Sequence, residues 1–337
     1  MDAIFLQLLN GLDKGSAYAL IALGLTLIFG TLGVVNFAHG ALFMLGGFCA
    51  VSVQKLLNLS TQVKDESIPG LEMMVDVPYL QVWFGDTGMQ IISFAVPISV
   101  MMAIPLMLLV GVVMERGLIR HFYHRTHADQ ILVTFGLAIV LQELIKSFFG
   151  ATPIPVPAPQ MLTGSANIGE WLGMGAGVSY PWWRLVYFSF SMAVIAMVFA
   201  FLQFTTFGMV VRAGMRDRET VGLLGIHIER RFTIVFGIAV VVAGVAGAMY
   251  TPIVSPNYRI GMDVLVLSFV VVVGGMGSLP GAVASGFLLG ILQSFASMNE
   301  VKQLIPGIDQ VIVYLVAVII LLTRPRGLLG RKGVMED

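Results

Sequence analysis

The sequence predicts an all-α polytopic integral membrane protein, a bundle of about eight to nine transmembrane helices that includes short or re-entrant segments. Three observations carry this. Of the 337 residues, 57% are hydrophobic and only 11% charged, where a soluble domain carries about a quarter. Mean hydropathy is +0.91, so the chain has too few polar groups to cover its surface in water. The apolar residues are also gathered into separate runs, several of them near the roughly 20 residues that a helix needs to cross hydrocarbon.

The runs fall at residues 16–32, 37–54, 90–113, 129–149, 184–206, 232–251, 263–278, 281–298 and 309–323. Backbone groups in hydrocarbon need internal partners, which leaves helices or closed barrels. The runs are too long and too evenly apolar for the alternating pattern of barrel strands. They are therefore helices of one transmembrane domain over residues 1–337. No basic n-region precedes the first run, so it is expected to stay in the protein. Residues 1–15 are open between an interfacial and an extra membrane segment.

Between the first two runs lies Asn36-Phe37-Ala38-His39-Gly40, where Asn36 and His39 share a face of a helical turn. It is either the cap of a tight hairpin or a break in a helix lining a translocation path. Gly274-Gly275-Met276-Gly277-Ser278-Leu279-Pro280-Gly281 poses the same choice, a tight turn or a discontinuous helix. Glu143 and Lys146 stand three apart and pair with each other, and Asp263 and Asp309 sit at span ends. Gly286 with Gly290, and Ala243 with Gly247, have the small-xxx-small spacing that lets helix backbones approach. Cys49 stands alone in the chain and reads as a small buried hydrophobe.

Charge orients the bundle. Twelve of the nineteen basic residues lie in 114–127, 207–232 and the C-terminal tail, which makes these segments and the C-terminus cytoplasmic by the positive-inside rule. The segments at about 55–89 and 150–183 are then external loops. They hold all four tryptophans, Trp83, Trp171, Trp182 and Trp183, at headgroup depth. The alternating Pro153, Pro155, Pro157 and Pro159 predict an extended strap. On the cytoplasmic side, Arg212–Ile226 is charged in its first half and apolar in its second. It suits an amphipathic helix that lies on the membrane or docks into a partner's groove.

Several functions are disfavoured. Net charge is zero, which gives no footing for nucleic acid. The chain lacks a phosphate-cradling GxxxxGK[ST], a zinc motif and a GxSxG elbow. Carboxylates within the spans are few, which weighs against proton-coupled transport. A membrane enzyme built on His39, or on His121, His124 and His127, lacks supporting carboxylates or cysteines beyond Glu115 and Asp129. An ATP-independent secondary transporter or channel is the competing function, and uptake under ATP depletion separates it.

The run Gly15-Ser16-Ala17-Tyr18-Ala19-Leu20-Ile21-Ala22-Leu23-Gly24, followed by Asn36-Phe37-Ala38-His39-Gly40, resembles the start of a branched-chain amino-acid ABC transporter permease of the LIV type. Gly222-Leu223-Leu224-Gly225-Ile226, Ala243-Gly244-Val245-Ala246-Gly247, the 274–281 motif and Arg324-Pro325-Arg326-Gly327-Leu328-Leu329-Gly330 extend the resemblance over nearly the whole chain. It is similar to the shorter of the family's two permease types. The resemblance implies a bacterial inner-membrane importer subunit for branched-chain amino acids or related amides or urea. Its partners would be two ATPase subunits that bind the ATP and Mg, a second homologous permease and an external solute-binding protein. It assigns ATPase coupling to Arg212, Arg216, Glu219, Leu223, Leu224 and Ile226. Asn36, His39, Gly274 and Gly275 are the candidates for the path. The long acidic segment 58–88 and the proline strap depart from the family pattern, which puts the docking of the binding protein in question.

Overall fold

The computed structural model of the chain describes residues 2–34, 36–65, 73–123, 125–171, 173, 178–265 and 278–323. Helix α1 runs from Asp2 to Leu32, far ahead of the apolar run at residue 16. Its early half carries Gln7, Asn10 and Asp13, polar residues that hydropathy rejects but that protein partners accept. Ser294 donates its hydroxyl to the Gln7 main chain at 2.7 Å and to Gln7 Oε1 at 2.9 Å. Arg184 donates to Asn10 Oδ1 at 2.7 Å. With 31 residues, α1 is about 46 Å long, against a hydrocarbon core of about 30 Å.

Then follow α2 (His39–Leu57), the hairpin β1 (Ser60–Asp65) and β2 (Met73–Pro78), α3 (Tyr79–Phe84), α4 (Asp86–Ser93), α5 (Ala95–Gly117) and α6 (His127–Phe149). The strand β3 (Ser165–Asn167), α7 (Ile168–Trp171) and β4 (Ser179–Pro181) precede α8 (Trp182–Phe204). The chain continues through α9 (Thr206–Arg216), α10 (Arg218–Leu223), α11 (Ile228–Tyr250), α12 (Leu279–Ala296), α13 (Asn299–Leu304) and α14 (Ile308–Thr323). Among the described residues, seven helices (α1, α2, α5, α6, α8, α11 and α12) are long and apolar enough to cross a membrane, and α14 is a shorter apolar helix. The protein is thus an all-α polytopic membrane bundle. Of the expected run 263–278, residues 266–277 lie outside those described.

Glycine sets the core. A Cβ on Gly46 would strike the backbone of Gly244, and one on Gly247 the carbonyl of Phe43, so α2 and α11 touch backbone to backbone. Along α1 and α12, Gly286 meets Ala19, Gly290 meets Gly15, and Gly11 meets Ile291. Apolar side chains gain little by leaving lipid for protein, so close backbone approach is what such helices gain from small residues.

The two expected external loops carry structure of their own. β1 and β2 pair antiparallel with Ser60 opposite Pro78, and β3 and β4 with Ser165 opposite Pro181. Ala166, Ile168 and Tyr180 pack on Phe5, Leu6 and Leu9, so the second segment wraps the first turns of α1. Residues 153–159 run without regular secondary structure.

A helix break inside the bundle and an exposed leucine pair

α1 stops where Gly33 adopts a left-handed φ of +66°, the usual way to end a helix without Cβ strain. The Gly33 N–H returns to the Phe29 carbonyl at 2.9 Å. The chain then turns back into the bundle. A Cβ on Gly24 would lie 2.6 Å from His39 Nε2 and 3.1 Å from the Ala239 carbonyl. Gly24 is eight residues short of the end of α1, about 12 Å along its axis. Ala239 is eleven residues into α11, about 16 Å from its start. α2 therefore begins well inside the bundle, parallel to α11.

The register of α12 gives a similar result. Gly286 faces Ala19 in an antiparallel crossing, so Ser278 falls level with about residue 27, roughly 8 Å short of the end of α1. Ser278 caps α12 through a hydrogen bond from the Gly281 N–H at 3.2 Å. Two helices thus start at depth. Gly274 and Gly275, expected on the path, lie outside the described residues.

Non-helical backbone at membrane depth survives only where protein surrounds it. Val34, Asn36, Ala38 and His39 are all at 0% exposure. Asn36 Oδ1 accepts from the Ala38 N–H at 3.0 Å, and the Phe37 N–H donates to Thr134 Oγ1 at 3.1 Å. The ring of Phe37 meets that of Phe135 edge-on at 6.2 Å. Asn36 is thus not the N-cap of α2, a position held by Ala38, yet its side chain serves the cap from two residues upstream. Asn36 Nδ2 and both ring nitrogens of His39 are buried without a hydrogen-bond partner, although the Ile21 backbone lies beside the His39 ring.

Thr134 belongs to a stripe on α6 that composition alone did not single out. Gln130, Thr134, Ala138 and Ile145 are the buried residues of this helix. Gln130 ties it to the basic end through the Phe122 carbonyl at 3.0 Å. One turn beyond, Gln142, Ala138, Ala41, Met44, Gly261 and Met262 line a shallow crevice with no room for a water molecule. The helical spacing of Gln130, Thr134 and Ala138 was the available signal.

At the basic end, Arg212–Ile226 forms two helices rather than one, split at Asp217. Thr205 caps α9 through the Gly208 N–H at 3.1 Å, and Asp217 caps α10 through the Thr220 N–H at 3.0 Å. An Asp with extended backbone stops one helix and starts the next. α9 is fixed to the bundle by Arg212, which donates to the Leu202 carbonyl, and by Arg231 stacked 5.1 Å over Phe207. Val221 turns inward, whereas Leu223 is 83% and Leu224 73% exposed. Gly225, at φ +77°, turns the chain toward α11, and Ile226 is half-buried. The side chains of Arg216 and Glu219 lie outside what is described.

A second polar group sits near the opposite end. Asp13 is buried, with Oδ2 3.8 Å from Arg184 Nη1 and Oδ1 without a partner. Tyr187 presents a buried hydroxyl that also lacks one. The expected pair of Lys146 with Glu143 is present at 3.1 Å, and Cys49 is buried. Among the described residues no three His, Cys, Asp or Glu side chains come together to hold a metal, and His124 lies outside those residues.

No solved structure matches the chain. LivH of Escherichia coli K12, a high-affinity branched-chain amino acid transport system permease protein, is 27% identical over 334 residues, 97% of this chain and 96% of that protein. BraD of Pseudomonas aeruginosa, a permease protein of the same description, is 29% identical over 332 residues, again 97% and 96%. A probable branched-chain amino acid transport permease of Methanocaldococcus jannaschii is 24% identical over 323 residues, 92% and 88%. The family model for the permease component of branched-chain amino acid transport systems matches residues 7–322. With a match that spans both helix breaks and the exposed leucine pair, the chain belongs to the branched-chain amino acid ABC transport permease family.

Proposed function

We propose that this chain is the membrane-spanning subunit of an ATP-driven importer that carries branched-chain amino acids, or related small amides or urea, across a bacterial inner membrane. It works with a second, homologous permease, an external solute-binding protein and two cytoplasmic ATPase subunits that hold the ATP and Mg. The chain itself transports and does not catalyse. The basic end, with the C-terminal tail, faces the cytoplasm.

The observation that carries this is the leucine pair. Leu223 and Leu224 are among the most exposed apolar side chains of the protein, at 83% and 73%. They are the last residue and the C-cap of a six-residue helix beyond the spans, where a neighbouring apolar pair calls for a cover. A groove in each ATPase subunit would supply it, with Arg212 and Ile226 holding the segment and Arg216 and Glu219 flanking the contact. When ATP draws the ATPases together, α9 and α10 transmit the movement to the bundle through the Arg212–Leu202 and Arg231–Phe207 contacts. Nucleotide drives the cycle only as far as it binds the two states with different affinity. Asn36, His39 and the 274–275 glycines line the path in this scheme.

The test is Leu223→Asp with Leu224→Asp, co-expressed with the partner subunits. Both side chains are exposed, so the permease should fold with its melting temperature unchanged while ATPase association and uptake are lost. Intact association and uptake would remove the coupling assignment. Persistent uptake by the parent protein after ATP depletion would replace the importer with a secondary transporter.

A further inference from the structure

We infer that the Phe37 N–H and the side-chain amide of Asn36, just ahead of the N-terminus of α2, receive the α-carboxylate of the transported amino acid. The inference rests on the importer reading above and adds to it the group of the substrate that is recognised and the atoms that recognise it.

The free N–H groups of a helix start carry roughly half a positive charge and favour an anion. α2 has 19 residues, no acidic residue in its first turn and no side-chain cap from its own N-cap residue. Its start lies inside the bundle beside Gly24 and Ala239, where field lines are not screened by water. A second observation points to a ligand. Asn36 is at 0% exposure, and its Oδ1 already serves the Ala38 N–H. Its Nδ2, held at the same helix end by that bond, has no partner. A buried amide donor left unmade is costly, and a carboxylate oxygen is the acceptor that this helix end favours. Apolar Val34 and Ala38, both fully buried, suit an aliphatic side chain beside it.

The site is closed in this structure, and the closure shows how it would open. The neighbouring donor, the Phe37 N–H, is held by a hydroxyl from another helix, Thr134 on α6. α6 is the least buried of the seven spans. When α6 moves away, Thr134 takes its acceptor with it, and a substrate carboxylate can replace it while its second oxygen accepts from Asn36 Nδ2. Thr134 therefore stands in for the substrate in the closed state, and loading of substrate and withdrawal of α6 favour each other.

The experiment uses the assembled transporter in proteoliposomes with the ATPase face outward and the solute-binding protein and leucine enclosed, so that added ATP drives leucine out of the lumen through the permease. Asn36→Ser keeps an oxygen for the Ala38 N–H but removes the amide donor. Asn36→Asp keeps the cap and adds a negative charge. Leucine transport is expected to fall at least tenfold in Asn36→Asp, and KM to rise about tenfold in Asn36→Ser with a smaller change in kcat. Subunit assembly and melting temperature report folding. A purely structural cap predicts parental KM in both variants, and that result overturns the inference. If neither variant folds, Thr134→Cys in a Cys49→Ala background decides. Leucine should speed its labelling by a maleimide, since loading withdraws α6 and uncovers this position, and leucinamide, which lacks the carboxylate, should not; an equal effect of both, or no effect of either, overturns the inference. Loss of ATP-dependent transport in the parent assembly would instead count against the importer reading, and the labelling result would still decide the carboxylate site.

Discussion

α1, α2 and α11 bury most of their residues inside the bundle, whereas α5, α6 and α8 turn most of theirs outward. In the most apolar stretches of the first three, 89%, 67% and 78% of the residues are buried; in the second three the shares are 28%, 17% and 28%. The same residue type changes meaning between them. Gly46 and Gly247 sit against backbone, but Gly136 on α6 faces open space. Exposed Met101, Leu132, Phe148 and Met197 cover the outer group, where lipid or a partner helix is as good a neighbour as protein. The inner group holds the helix break, and the outer group forms the walls around it.

The sharpest way to break this comparison is to fill an inner seam. Gly46→Leu, or Gly247→Leu, forces α2 from α11 and should cost about 3 kcal/mol or more, read as loss of folded protein in detergent melting. A small effect would mean that the seam is looser than its backbone contacts indicate. Next in size is the polar junction near the opposite end of α1. Arg184→Ala leaves the Asp13 carboxylate buried without its cation. Losing a partner of a buried pair costs about 3–5 kcal/mol; with the Arg184 side chain one-third exposed, about 2 kcal/mol is expected after screening. Asp13→Asn should cost less than Arg184→Ala, and the reverse order would show that Asp13, not its neutralisation, holds the junction.

Smaller effects test the outer elements. Thr205→Ala removes the α9 cap and should cost about 1 kcal/mol, appearing as faster hydrogen exchange confined to 206–216. Gly136→Ala should be neutral or stabilising by up to about 1 kcal/mol, because nothing lies within 4 Å of the new Cβ. If Gly136→Leu folds but abolishes uptake, this face meets a partner helix instead of lipid.

What was legible in the sequence follows the same division. Period and hydropathy located the spans that meet lipid, and the small-residue spacings at Gly286 and Gly290 marked a real seam. Hydropathy misplaced the start of α1 because Gln7, Asn10 and Asp13 look like water-facing residues until Ser294 and Arg184 arrive from distant sequence. Asn36 and His39 were visible as polar residues between two apolar runs, but their depth was not. That depth depends on Gly24 and Ala239, which no local pattern ties to them. The short strands and α3, α4 and α7 were hidden because segments with almost no core of their own carry little periodic signal.

The helix break also bears on how the chain is made. α1 and α2 are synthesised first, yet the hydroxyl that takes the Phe37 N–H comes from Thr134, 97 residues later. The wall beside His39 comes from Ala239, later still. Until those segments arrive, the hairpin carries bare backbone that lipid cannot solvate. It must wait at the translocation machinery, or pass through a provisional all-helical form that later unwinds around Asn36. The feature that places a polar site deep in the bundle therefore makes its first hairpin among the last parts to be completed.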